Sequence, residues 1–383
     1  MLRAVDKWLV GYLKSVVQRP GTSGKLRHLV FCVADHFEPF RGGVSNDQAR
    51  DLVKKWSDDY VASTDRLTDA DGKRPQQTFF YPQEDYDPVC IDLLAGLCAR
   101  GCGEVEIHLH HRNDNPERLR KKLAGFRDRL HSDHGLLGRD STGAPRYGFV
   151  HGNWALCNSR PDGDWCGVNE ELGILRETGC YADFTFPSAP SPTQSRTVNS
   201  IYYATDTPGK PRAHDHGVPV TTPGLSPSTI NHQPSTIPLM LIQGPLALNW
   251  RRRKWGLLPR LENAEISGAN PPTEERARLW VKQHIHVKRK AEWVFVKLHT
   301  HGCVSANSGV LFGEAMRRMH EYLLARYNDG TDWQLHYVTA REMYNTVRAA
   351  EAGADPASGI ARDYEIAAPE MASDGSPVGM KAL

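Results

Sequence analysis

The chain has no apolar run long enough to cross a membrane, no C-x-x-C pair and no excess of charge of one sign. Each absence removes a class of function. Without a long apolar run there is no helical membrane span. With 47 Lys and Arg against 45 Asp and Glu, the formal net charge is +2, too weak a field for a dedicated nucleic-acid protein. The eight cysteines, Cys32, Cys90, Cys98, Cys102, Cys157, Cys166, Cys180 and Cys303, lack the paired spacing of a zinc ribbon. Several sit in apolar context, as free thiols do in the cytosol. No signal-peptide pattern is seen at the N-terminus, so the expectation is a cytoplasmic protein. Residues 1–24 are expected to hold an amphipathic helix, since Met1 to Lys14 places apolar and basic residues at helical spacing. Such a helix either packs on its own domain, the commoner case, or lies on a membrane surface as a peripheral contact through residues 1–14.

What the chain has instead is a recurring design: a short apolar strand that ends in metal-capable side chains. Glu106-Ile107-His108-Leu109-His110-His111-Arg112-Asn113-Asp114 is the densest example. Leu29 to His36, Tyr147 to Trp154, Tyr181 to Phe184 and Trp293 to His301 follow the same plan, with Asp35, His36, His151, Asn153, Asp183, His299 and His301 at or near their ends. Polar groups at the carboxyl ends of parallel strands are where α/β active sites collect.

The order of elements supports a parallel sheet. A strand over Leu26 to Ala34 precedes a helix over Asn46 to Tyr60, and a strand over Gln77 to Tyr81 precedes a helix over Val89 to Arg100, closed by Gly101. A strand over Val105 to His110 leads to Asn115-Pro116, a cap and first-turn pair. Late in the chain a helix over Gly313 to Tyr327 and a strand over Trp333 to Val338 lead to Thr339 and Glu342, the two halves of a capping box that opens a helix through Val347. The stretch 205–270 is rich in Pro, Gly, Ser and Thr around an apolar island at Ile237 to Leu248, and is expected to be an insertion over the mouth of the domain. Residues 350–383 are small and polar and are expected to form a disordered tail.

A catalytic divalent ion needs about three His or carboxylate ligands and an open position for water. His110 and Asp114, four apart where a strand becomes a loop, can reach one ion, with His36 or Asp35 from another strand end as the third ligand. His108 shares a face with His110 by the period-two rule, either as a second metal-facing histidine or, more often, as a satisfied core side chain. Glu84 and Asp85 stand at a strand end as further carboxylates, and His214, Asp215 and His216 form a cluster in a Pro/Gly-rich loop, where a solvated turn is the simpler reading.

Over roughly Leu26 to Val347 this order of parts resembles a divergent polysaccharide deacetylase of the NodB-homology, carbohydrate esterase family 4 group. The family's first strand ends in Asp-Asp, and here Asp35-His36 stands in that place. Its second motif pairs two histidines four apart after Glu-Ile; here Glu106-Ile107 precede His110, with Asp114 in the second position. The third, Arg-x-Pro, is matched loosely by Phe149 to Trp154 without the Arg, leaving His151 or Arg146 as substitutes. Asp183 stands for the fourth, and Val296-Lys297-Leu298-His299 for the Leu-x-Leu-His of the fifth. The resemblance implies an irregular β/α barrel over residues 25–349 and hydrolysis of N- or O-acetyl groups on a glycan or on a lipid- or nucleotide-linked precursor, with a role in carbohydrate metabolism such as exopolysaccharide biosynthesis. It implies Asp35 as base, His299 as acid, and His36, His110 and Asp114 as ligands of a divalent metal, zinc by default, with cobalt, nickel or manganese as alternatives. Glu38, His151, Asn153, Trp154, Asp183 and His301 are then expected to line the substrate groove. Two other readings remain: a glycoside hydrolase using two carboxylates, Glu38 with Asp183 or Glu84, and a glycan-binding protein of exopolysaccharide assembly without turnover.

Overall fold

A computed structural model describes residues 4–21, 24–223, 238–355 and 359–370. Helix α1 (Val5–Val17) leads to strand β1 (Arg27–His36), α2 (Asn46–Thr64), β2 (Gln77–Pro82), α3 (Pro88–Ala99), β3 (Gly103–Leu109) and α4 (Pro116–His134). Then come β4 (Gly138–Arg139), β5 (Pro145–His151), α5 (Glu171–Glu177) and β6 (Cys180–Asp183). Next are β7 (Ile201–Ala204), β8 (Val218–Pro219), β9 (Leu239–Ile242), β10 (Ala247–Lys254), β11 (Leu258–Glu262) and β12 (Glu265–Ile266). The chain closes with α6 (Glu274–Lys282), β13 (Trp293–Thr300), α7 (Ser305–Leu311), α8 (Glu314–Tyr327), β14 (Trp333–Tyr337) and α9 (Ala340–Glu351).

The local signals explain the helix starts. Ser45 and Gln48 form a reciprocal capping box on α2, Asn115 accepts from the Arg118 amide to open α4, and Thr339 with Glu342 does for α9 what the sequence pattern implied. The strands form one large sheet in the order β12-β13-β1-β2-β3-β5-β6-β9-β7-β8, with β14 also on β1 and β4 on β5. From β12 through β9 the pairing along this path is parallel, and β7 and β8 join antiparallel. Parallel strands buried on both faces should read as continuous apolar runs. β1 does: every residue from His28 to His36 is buried. Its second edge is shared, with β14 along Arg27 to Phe31 and β2 along Ala34 to His36. The fold is thus mixed α/β with a large, mostly parallel sheet, and β1, β3, β5, β6 and β13 all bring their carboxyl ends to one edge.

The insertion is more ordered than its composition suggested. Its described part supplies β9 to the main sheet and a separate antiparallel hairpin, β10-β11; residues 224–237, including Ile237 of the apolar island, lie outside the described residues. The expected disordered tail also divides. Residues 359–370 fold back on α9, where Arg341 donates to the carbonyls of Arg362 and Ile366 at 3.0 and 2.7 Å, Asn345 bonds the same two carbonyls, and Ile366 is buried. The order there comes from a buried arginine needing acceptors, which a count of small polar residues does not reveal. Residues 356–358 and 371–383 lie outside the described residues.

Helix α1 packs on the domain through Trp8, which joins Ala189, Val198 and Leu246, with Tyr12 and Leu248 beside them. Its other face leaves Val10, Leu13 and Val17 exposed. Among the described residues no helix is long and apolar enough to cross a membrane.

Candidate metal centre

The strand ends bring His36, Glu38 and His108 together, with ligand-capable atoms of all three within 4.8 Å of one another. His36 is the last residue of β1 and His108 the penultimate residue of β3, on either side of β2. Their rings lie 4.9 Å apart. His108 is fully buried, and its Nδ1 sits 2.9 Å from the Val150 carbonyl. A carbonyl only accepts, so Nδ1 carries the proton, and in the neutral ring Nε2 is a lone pair. That Nε2 has no hydrogen-bond partner and points at Glu38 Oε1, 3.5 Å away. A buried lone pair facing a carboxylate is repulsive unless a cation or proton lies between them.

Glu38 is held as an anion. Burial works against its charge, but His108, His301 and the Arg41 guanidinium, 2.8 Å from Oε2, outweigh it and bring the carboxyl down to about 2. Outward from this group a cavity of about 400 Å³ opens, walled by His36, Glu38, Phe40, Arg41, Glu84, Asp85, His110, Asn153, Trp154 and His301. His110 hydrogen-bonds Glu84 through Nδ1, and its amide donates to the same carboxylate at 3.1 Å. Burial alone would lower the His110 pKa; the Glu84 contact, with Glu38 and Asp85 nearby, raises it instead. Its Nε2 lies 3.6 Å from Glu38 Oε1. His301 lies beside His36, ring centroids 4.8 Å apart and tilted by 51°, and burial pulls its pKa down to about 4. Asn153 and Trp154 both adopt left-handed backbone, φ 57° and 54°, a conformation costly for such residues that turns the Trp154 side chain onto the cavity wall.

Of the ligands expected from sequence, His36 stands in the group and His110 on the cavity wall beside it, but Asp114 stands elsewhere. Its carboxylate bonds Lys122 at 2.8 Å and lies 3.3 Å from Arg118 and 3.4 Å from His111 Nδ1, because the turn after His110 carries it to the other side of the strand end. Asp35, expected as the base, has no exposed surface and is not on the cavity wall. Its oxygens accept from Gln77 Nε2 at 2.8 Å and from the Gly302 amide, so it ties β1 to β2 and to the turn after β13. Burial pushes its pKa well above the usual carboxylate range. His299, expected as the acid, is also sealed in, its ring 6.1 Å from His36, while His301 on the same side reaches the cavity. Of the residues expected to line a substrate groove, Glu38, Asn153, Trp154 and His301 wall this cavity; His151 and Asp183 do not. Asp183 is buried, accepts from Thr185, and is raised to about 7 by burial. His214 and Asp215 are buried rather than solvated, with Asp215 paired to Arg212. From sequence, His108 reads as a metal-facing histidine or, more often, as a satisfied core side chain. The signal that separates them is its Nδ1 partner, which the strand register decides.

A second group is assembled behind the first: His111, His151, Cys166 and Glu171, all buried, with ligand-capable atoms within 4.8 Å of one another. Among the described residues these are the two groups that could hold a metal ion. A larger cavity, about 1440 Å³, opens between α2 and α8, and its wall contains neither group. No protein-family model matches the chain, and no curated protein is significantly similar to it.

Proposed function

We propose that the protein is a metal-dependent hydrolase that removes N- or O-acetyl groups from a glycan or glycan precursor, on an irregular β/α barrel of the polysaccharide deacetylase type. The observation that carries the reading is the buried, partnerless His108 Nε2 aimed at an ionised Glu38 beside His36, at the floor of an open cavity at the strand ends. His36, Glu38 and His108 would hold a divalent ion, with zinc the default for imidazole and carboxylate and cobalt, nickel or manganese as alternatives. When bound, the ion supplies Lewis-acid chemistry, polarising an acyl oxygen and lowering the pKa of water. The proton work falls to the two cavity histidines. His301, held neutral near pH 7, accepts a proton; His110, its Nδ1 fixed by Glu84, carries one on Nε2 for the leaving group. Trp154 and Phe40 provide flat apolar surface for a sugar ring.

The testing experiment measures acetate release from acetylated glycans by the full chain, with and without a chelator. Loss on chelation and recovery with added zinc or cobalt are expected. Oligosaccharide binding without acetate release would instead mark a non-catalytic glycan binder. His110→Gln is expected to keep the metal and lower turnover by about 10² to 10⁴, the usual contribution of a positioned acid; unchanged turnover would remove His110 from the mechanism.

One observation favours a second reading. Asp85 is raised to about 6, by burial first and then by Glu84, while Glu38 in the same cavity is held near 2. Two carboxyls pushed apart are the signature of an acid and base pair in a glycoside hydrolase. Such activity survives chelation and, because Asp85 must be protonated, falls as pH rises through about 6.

A further inference from the structure

The structure assigns a second, closed metal site to His111, His151, Cys166 and Glu171, a structural zinc-type centre separate from the cavity. Asp114 is kept ionised by Lys122 at 2.8 Å and Arg118 at 3.3 Å, and it faces His111 Nδ1 at 3.4 Å. His151 Nδ1 is hydrogen-bonded to the Gly152 carbonyl. The Gly152 carbonyl requires the proton on His151 Nδ1, and the Asp114 carboxylate favours it on His111 Nδ1, so that both Nε2 atoms are lone pairs when the rings are neutral. Those two Nε2 atoms are 2.9 Å apart, and Glu171 Oε1 lies 3.2 Å from one and 3.5 Å from the other. Two nitrogen lone pairs and a carboxylate, wholly buried, converge on one point. That arrangement is stable only around positive charge.

A carboxylate or carbonyl behind each imidazole is the second layer that metal-bound histidines use to fix their tautomer. Cys166 completes the set: its thiol donates to Glu171 Oε2 at 3.5 Å and to the Val168 carbonyl at 3.4 Å, and the Val168 amide, 3.4 Å from Sγ, remains as a donor to the thiolate once a metal displaces that proton. Two nitrogens, a sulfur and an oxygen with no exposed position describe a closed tetrahedral centre rather than one with room for substrate. The donors come from the end of β3, the end of β5, the irregular loop before α5 and α5 itself. The ion therefore clips the segment that carries Asn153 and Trp154 to the sheet.

The test uses the full chain produced with cobalt in place of zinc. A thiolate-to-cobalt charge-transfer band in the near ultraviolet is expected from the wild type and from His108→Ala, and its loss is expected in Cys166→Ser. Elemental analysis should show Cys166→Ser and Glu171→Gln each lacking one ion per chain relative to wild type, independently of the ion lost in His108→Ala, so either site can fail alone. If Cys166→Ser does not fold, the wild-type spectrum decides. No thiolate band in folded wild type would overturn the assignment in favour of a proton shared between the two imidazoles, and a band that persists in Cys166→Ser would overturn it in favour of another cysteine.

A different observation carries a second proposal. The β10-β11 hairpin exposes Trp250, Trp255, Leu257 and Leu258 at 57, 77, 78 and 53%. Between Ala247 and Leu261 it has five cationic residues, Arg251, Arg252, Arg253, Lys254 and Arg260, and no acidic one. We propose that it docks on an anionic lipid bilayer, with its tryptophans at the interface and its cations on the headgroups. Helix α1 leans on the base of this hairpin, where Tyr12 contacts Leu248, and adds the exposed Val10, Leu13 and Val17. The full chain should sediment with phosphatidylcholine vesicles containing phosphatidylserine, and far less with phosphatidylcholine alone or in high salt. Trp255→Ser with Leu257→Ser, both at exposed positions, should lower binding about tenfold or more. Absence of sedimentation with the anionic vesicles, or binding unchanged in the double variant, would overturn the proposal.

Discussion

His108→Ala is expected to strip the ion from the His36, Glu38 and His108 group and to lower acetate release by about 10³ or more, since Lewis-acid stabilisation amounts to several kcal/mol and each 1.4 kcal/mol is a factor of ten. His108 is singled out because its ring has no freedom. Nδ1 is committed to the Val150 carbonyl 2.9 Å away, so the Nε2 direction is fixed by the pairing of β3 with β5. Asp35→Asn separates this reading from the one the family motif implies. With both oxygens engaged by Gln77 and Gly302 and no cavity surface, the Asp35 side chain positions the end of β1. The variant is therefore expected to retain its ion and to lose turnover only in proportion to any loss of stability. Elemental analysis, acetate release and thermal unfolding on the two variants check this together. Full activity in His108→Ala would remove the metal reading altogether.

Arg276→Ala is expected to destabilise the fold by about 3 to 5 kcal/mol, the usual cost of stranding one member of a buried ion pair. That is a large share of the roughly 5 to 15 kcal/mol that holds a domain together. Arg276 has no exposed surface; its guanidinium donates to both Glu262 oxygens at 2.7 and 2.9 Å, and to the carbonyls of Asn270 and Pro271 at 2.6 and 2.8 Å. Trp280 Nε1 adds a bond to Glu262 at 2.9 Å. Without the guanidinium, Glu262 remains a buried carboxylate at the root of the hairpin. Arg276→Lys keeps the charge but loses the planar fork, and should fall between. Urea unfolding measures both, and a shift below about 1 kcal/mol for Arg276→Ala would show that water reaches the pair.

β1, β2, β3, β13 and β14 with helices α2, α3, α4, α8 and α9 were legible because of strong local signals such as the continuous apolar run of β1, the Asn115-Pro116 start of α4 and the Thr339 and Glu342 box of α9. The antiparallel additions were not: β7 and β8 are short strands amid Pro and Gly with no period long enough to read, and β10 runs into Arg251 to Lys254, a charge run without apolar alternation, before pairing with β11. At the site, the strand ends were legible as a set, and His36, Glu38, His110, Asn153, Trp154 and His301 do meet around one cavity. What sequence spacing could not decide was direction. His110 and Asp114 sit four apart, yet a non-glycine left-handed turn at Asn113, φ 48°, sends Asp114 toward Lys122. Cys166 and Glu171 carry no strand-end signature at all. Only the tertiary path that sets them beside His111 gives them meaning.

His110 and His111 are neighbours in the chain yet serve opposite sides of it, one on the open cavity and one in the closed group. Alternation at a strand end makes this a matter of counting. Inserting or deleting one residue between Val105 and His110 would hand each histidine to the other side, while Cys166, Glu171, Glu38 and His36, fixed by other elements, could not follow. The length of this stretch should therefore be held over evolutionary time as strictly as His108 itself.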